Sequence, residues 1–195
     1  MWAWKRLKLR YLLDPAVPEG RAFLGEMLAT SSPADRGLLE FLMFARTDRL
    51  FREVTLETVS PLLAQDGTMV DPTIIDAAVR RSAGASSLSW SASTFDRTHK
   101  HLLTALKDFG LLRGSLHKRT IRPRPGSEVV RFACRLGRLE GLTDRQILDA
   151  RWFRLFGFER EQVVDLLFAG QRAGMLGFRT QASVVEIDLP PLEAI

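Results

Sequence analysis

A mainly α-helical chain carrying two short β-hairpins is predicted by three observations in the 195 residues. Apolar residues recur at helical spacing through most of the chain, and the gaps are marked by Pro, Gly and Asx turn signals. Twice, a helix ends at a glycine and is followed by a short hairpin-like run. The first of these runs, Trp90 to Arg124, also concentrates the charge. Arg97, Lys100, Lys107, Arg113, Lys118, Arg119, Arg122 and Arg124 oppose only Asp96 and Asp108 there, giving +6 in a chain of net charge +5.

Composition sets the bounds. An apolar fraction of 46% with 26% charged residues is ordinary for a globular protein. The positive charge and a pI near 10 favour polyanionic partners. One cysteine, Cys134, excludes an internal disulfide and a cysteine-rich zinc site, and fits a reducing cytoplasm. No stretch approaches the length of apolar chain that spans a bilayer, so no membrane partner is expected. The opening MWAWKRLKLRYLLDP interleaves Lys5, Arg6, Lys8 and Arg10 with leucines and lacks the pattern of a signal peptide. A helix or strand docked on the body of the protein is expected there ahead of an amphipathic membrane-surface helix.

From Pro18 to Gln65 five arginines oppose eight acids once Asp66 is counted, so this part is not the main anion contact. Ser32-Pro33 starts a helix, with the hydroxyl as cap and proline in the first turn; Leu38, Leu39, Phe41, Leu42 and Met43 make it a core helix. Asp48–Val54 and Leu56–Gln65 read as two further short helices, Pro61 limiting the second, and Asp66-Gly67 as a turn. Asp71-Pro72 opens the next helix, PTIIDAAVRRSAG, and Gly84 to Ser89 is a small-residue linker.

The helix after that linker divides into two faces. With Phe95 at zero, Leu102, Leu103, Leu106 and Phe109 fall within about 80°, whereas Arg97, Lys100, His101, Thr104 and Lys107 lie between about 120° and 240°. Ser91 or Ser93 caps the start and Gly110 supplies the left-handed end. Leu111 and Leu112 then pass through a Gly114-Ser115 turn into a basic arm, His117 to Arg124, closed by Pro123 and Pro125. Helix, glycine, apolar pair, turn and basic strand is the order of a winged helix-turn-helix, the Asp71 helix being its packing partner. Arg97, Lys100, Thr104 and Lys107 would face the groove or flanking phosphates of double-stranded DNA, and Lys118, Arg119, Arg122 and Arg124 its backbone through the wing.

Ser127 to Glu140 reads as a helix with Arg131, Arg135 and Arg138 on one face, either a solvated surface or a further phosphate-tracking stripe. Thr143-Asp-Arg-Gln146 is a capping box, so a helix is expected to about Arg154, ended by Gly157. Glu159 to Ala173 is the next helix, followed by LGFRT and VVEID around a turn. This second module resembles the first in order but not in charge, because Glu159, Glu161 and Asp165 make its helix acidic at the start; packing or protein contact suits it better than groove entry. The chain therefore divides at 1–67, 68–125 and 126–195.

Catalytic chemistry is not legible. His99 and His101 diverge on a helix, no phosphate-cradling glycine motif occurs, and Cys134 lies among apolar residues, so no enzyme, cofactor or metal is expected.

LFREV, the block WSASTFDRTHKHLLTALKDFGLL, TIRP and the run LTDRQILDARWFRLFGFEREQVVDLL together resemble the BrxA family, accessory subunits of BREX bacteriophage-exclusion systems, over about Leu38 to Ile187. The resemblance implies a helical N-terminal part related to the NusB antitermination proteins, helix-turn-helix-like pieces, and double-stranded DNA binding. It also implies phage defence beside a methyltransferase, an ATPase and other subunits. It transfers no site residues, because its motifs are mostly apolar, and the MWAW segment does not align. Two rival readings stay open: a protein-interaction scaffold of the defence complex, and an RNA-binding or transcription-regulating protein.

Overall fold

The computed structural model describes residues 18–30, 32–85, 90–182 and 184–191; the expectation for the MWAW segment lies outside them. The described residues are mainly helical with two small antiparallel hairpins, and their buried apolar side chains, from Ala22 to Ile187, form one connected cluster.

Helices α1 (Pro18–Ala29) and α2 (Pro33–Thr47) come first among the described residues. Ser32 caps α2, its Oγ accepting from the Asp35 amide at 3.2 Å, and all of residues 38–45 except Glu40 are buried. Asp48 then serves two helices. Its amide donates to Phe44 O, closing α2, while its Oδ1 accepts from the Phe51 amide at 2.9 Å, opening α3 (Arg49–Val54).

The two short helices expected beyond Asp48 are instead one helical run. From α3 the chain passes through a π turn, Thr55–Val59, into a 3₁₀ turn, Ser60–Leu62. Pro61 has no amide to donate back and its ring would crowd the carbonyl four residues earlier, so the run changes hydrogen-bond register without breaking.

Next come α4 (Pro72–Ala85) and α5 (Ala92–Asp108), packed together. Asp71 Oδ1 accepts from the Thr73 amide and hydroxyl at the start of α4. Phe109, just past α5, closes an aromatic cluster with Phe41, Phe44 and Phe51, ring centroids 5.6–6.1 Å from its own. This cluster ties the end of α5 to the N-terminal helices.

Hairpin β1 (Leu112–Arg113) and β2 (Arg119–Thr120) follows. A third segment completes it, because Met69 bridges Arg119 and the backbone of Thr68–Val70 exchanges bonds with Lys118 and Thr120 at 2.9 Å. Side chains alternate across the three segments. Val70, Leu112 and Thr120 point into the core, and Met69, Arg113 and Arg119 point out. The basic arm is thus shorter as a strand than expected. β2 ends at Thr120, and residues 121–126 form an extended strap in which Pro123 is buried.

Helix α6 (Ser127–Leu139) overturns the stripe reading of its arginines. Arg131 and Arg135 turn onto Glu26 of α1, a carboxylate only 2% exposed, with Arg131 Nη2 at 2.6 Å and Arg135 Nε at 3.2 Å. Arg138 binds Asp144 at 3.0 Å and the Ile187 carbonyl. Arg131 and Arg135 are not available to track phosphates, and Arg138, though part-exposed, is already held by Asp144 and a backbone carbonyl. The reason is a buried acid on a distant helix: a charge so enclosed needs paired, hydrogen-bonded cations. The hydrogen bonds to Glu26 raise the Arg131 pKa, whereas burial lowers that of Arg135.

Cys134 lies in the core on the same helix, where burial pushes its thiol up to about 12. Alkylation by iodoacetamide at neutral pH should therefore require denaturant. Stoichiometric labelling of the native protein would contradict this packing.

The expected helix from Thr143 to about Arg154 is two one-turn helices, α7 (Asp144–Ile147) and α8 (Arg151–Arg154), separated by an extended Ala150. The capping box of Thr143 and Gln146 is present. The break follows from burial. Ile147, Leu148, Ala150, Trp152, Phe153, Leu155 and Phe156 are all buried, and one straight helix cannot turn so many adjacent side chains to one side. Helix α9 (Arg160–Arg172) and hairpin β3 (Gly177–Gln181) and β4 (Val184–Asp188) are the last described elements and lie close to the bounds read from sequence. Two contacts join this part to the 3₁₀ turn. Ser60 Oγ donates to Leu155 O at 3.0 Å, and Gly157, at φ +72°, sits where a Cβ would lie 2.5 Å from Ser60 O.

Candidate nucleic-acid interface

Helix α5 owes its orientation to its apolar side. Leu102, Leu103 and Leu106 are buried and Phe95 packs under the Arg80 guanidinium, 4.6 Å from the ring centroid. Ser91 is the cap, accepting from the Thr94 amide at 3.2 Å. With that side fixed, Arg97, Lys100, His101, Thr104 and Lys107 are all exposed along the opposite face. The two faces lie where the 3.6-residue period put them, and half-buried His99 is on the apolar side with its Nε2 buried.

Not every cation on that face is equally free. Lys100 Nζ lies 2.7 Å from Asp96, one turn earlier, and the hydrogen bond from Lys100 holds the Asp96 carboxyl below its ordinary range. Contact with a phosphate would require exchange of this partner. Thr104 Oγ1 donates to the Lys100 carbonyl at 2.9 Å, so it meets a ligand as an acceptor or after rotation. Arg97 and Lys107 form no ion pair among the described residues.

The hairpin lies directly after this helix. Lys118 is half-buried, its Nζ donating to Gly114 O at 3.3 Å and Ser115 O at 2.6 Å. Its charge stays at the hairpin, but its first role is to close the turn. Arg119 is exposed, with Nη1 donating to Gly67 O at 2.9 Å. Arg113, counted in the charge of this segment but not among the candidate contacts, is exposed beside it on the same outer face, 3.5 Å from Asp66. Its cross-strand pairing with Arg119 was the signal missed, since the register depends on the turn.

Arg122 and Arg124 stand elsewhere than expected. Both are exposed, but on the strap beyond the hairpin, where they line a shallow cleft with Phe158, Gln162, Asp165 and Leu166 of the second module. The Arg122 amide is held by Asp66 Oδ1 at 3.1 Å. Of the eight candidate residues, then, four lie on one helix face, two on the adjoining hairpin and two on the strap.

The third segment, Thr68–Val70, was not legible as a strand because it contributes a single bridge. Its effect is considerable: with Thr68 and Val70 bonded along its outer edge, β2 is held on both sides, by β1 and by this segment. No three His, Cys, Asp or Glu side chains cluster as a metal site would need among the described residues, and no helix among them is long and apolar enough to cross a membrane.

A family model described as BrxA matches residues 5–133, close to two thirds of the chain, and so covers the N-terminal helices, α5, the first hairpin and half of α6. No curated protein matches, and no solved structure does.

Proposed function

The chain belongs to the BrxA family, associated with BREX phage defence, and from that premise we propose that it is a non-enzymatic accessory protein that binds double-stranded DNA. The observation that carries this reading is the exposed face of α5, where Arg97, Lys100, Thr104 and Lys107 stand in line beside a hairpin carrying Arg113 and Arg119. The element order supports it too. A first helical run, a bridging segment at Thr68–Val70, two helices and a two-stranded hairpin is the sequence of parts in a winged helix-turn-helix. In that docking, α5 approaches the major groove and the hairpin the neighbouring backbone or minor groove.

Affinity on this reading is chiefly electrostatic. The α5 face offers neither Asn nor Gln for bidentate contact with adenine, and Arg97 alone provides little readout of guanine. The second module takes a different part. Exposed Glu161 and Asp165 on α9, with Phe168 partly exposed nearby, suit contact with another defence subunit, such as the methyltransferase or ATPase, better than with a polyanion.

Fluorescence anisotropy against random duplex, matched RNA and single strands tests the reading. Duplex should bind tightest, and Arg97→Glu with Lys107→Glu should abolish most of it while leaving the fold intact, both side chains being exposed. Equal affinity for RNA, or duplex binding indifferent to the double reversal, would overturn it.

A further inference from the structure

The tip of the first hairpin is closed by side-chain bonds, cationic at its base, and crowned by an apolar side chain that no described residue covers. Leu116 is 88% exposed, more than any other large hydrophobic residue described. A single exposed leucine is ordinary on a protein surface. This one is distinguished by what holds it. Gly114 adopts φ +98° and turns so tightly that a Cβ there would lie 2.2 Å from His117 O. From the other side of the turn, Lys118 Nζ bonds the carbonyls of Gly114 and Ser115, which brackets Leu116 in a closed loop. Below it, β2 is held between β1 and Thr68–Val70, and the Arg119 guanidinium is fixed on Gly67 O. Arg113, Lys118 and Arg119 surround the base of the tip.

Resting on the duplex-binding reading above, we propose that this tip enters the minor groove and that Leu116 wedges between base pairs, unstacking one step and bending the DNA. The surrounding cations suit the negative potential of a narrow minor groove. An apolar wedge leaves water when it enters the stack, and the bent duplex wraps against more of the protein. Stiffness is what the task requires, because a mobile turn would yield before the base stack did. The cost of unstacking is lowest at flexible pyrimidine–purine steps. Deformability would thereby give site preference to a protein whose helix face has few groups to read base edges.

The test uses the full chain and duplexes of about 20–30 base pairs labelled at both ends for energy transfer, with or without a central TA step. Bound wild-type protein should shorten the end-to-end distance as a bend of about 20–90° requires. Leu116→Ala should keep the salt dependence of binding and its thermal melt, yet lose most of the bend and the preference for the TA duplex. A 2-aminopurine placed at the step should brighten with wild type and not with the variant. Duplex binding without a bend, or an unchanged bend in Leu116→Ala, would overturn the wedge alone. Failure of the wild type to bind any duplex at low salt would overturn both the wedge and the reading beneath it.

Discussion

Raising the salt from about 50 to 200 mM should weaken binding to random duplex by about three to four powers of ten, if six to eight phosphates are neutralised. On the proposed reading, the charges that would make that slope are the exposed ones around α5 and the hairpin. Arg97 and Lys107 on α5 and Arg122 and Arg124 on the strap are exposed and carry no ion pair among the described residues. Arg113, Lys118 and Arg119 add charge from groups already held by the hairpin. Lys100 contributes less, since it must first leave Asp96. Substituting Arg97 and Lys107 together with alanine should lower the slope by about two, one for each lost contact. Arg131→Ala supplies the internal control. Its guanidinium is bound to Glu26, so losing it should leave the slope unchanged in whatever protein remains folded. A salt-independent affinity, or a slope that fell with Arg131 and not with Arg97 and Lys107, would refute the electrostatic model.

Glu26→Ala should destabilise the fold by about 3–5 kcal/mol, the range for breaking a buried ion pair from one side. Both oxygens of Glu26 are occupied: Oε1 accepts from Arg131 Nε at 2.7 Å and Arg135 Nε at 3.2 Å, and Oε2 from Arg131 Nη2 at 2.6 Å. Both arginine side chains are only 12% exposed. Without the carboxylate, two neighbouring cations would face each other in a site with little water to screen them. Urea denaturation would show the loss as a lower midpoint at constant slope. Replacing all three residues by Leu or Met of similar volume should recover most of it, because the desolvation of the charges disappears along with their attraction. A loss below about 1 kcal/mol in Glu26→Ala would mean that the cluster is far better hydrated than its geometry implies.

The same residues show where sequence reading succeeds. The limits of α5 and its two faces were legible because each depends on neighbours within a few positions, and its cap was narrowed to Ser91 or Ser93, of which Ser91 serves. So were the Thr143 capping box, the extent of α9 and the second hairpin. The arginine row on α6 could not be read this way. Arg131, Arg135 and Arg138 have the same spacing whether they meet water, phosphate or Glu26, and the deciding carboxylate is 105 residues away along the chain from Arg131. Likewise, the broken helix at Ala150 depends on how many apolar side chains the surrounding core accepts. For the candidate interface, the helix face was local and readable, while the separation of Arg122 and Arg124 from the hairpin came from the early end of β2 at Thr120.

The seam between Gly157 and the turn at Ser60 has a bearing on ancestry. No side chain fits at residue 157 while Ser60 O, Leu63 and Ala64 keep their places, and its positive φ disfavours any replacement on its own account. Divergence elsewhere on the surface can proceed one residue at a time. At this seam the obstacle is the Ser60 carbonyl, a backbone atom that any residue at 60 would supply, so no substitution on that side makes room; in descendants of this chain residue 157 should stay glycine whatever stands at residue 60.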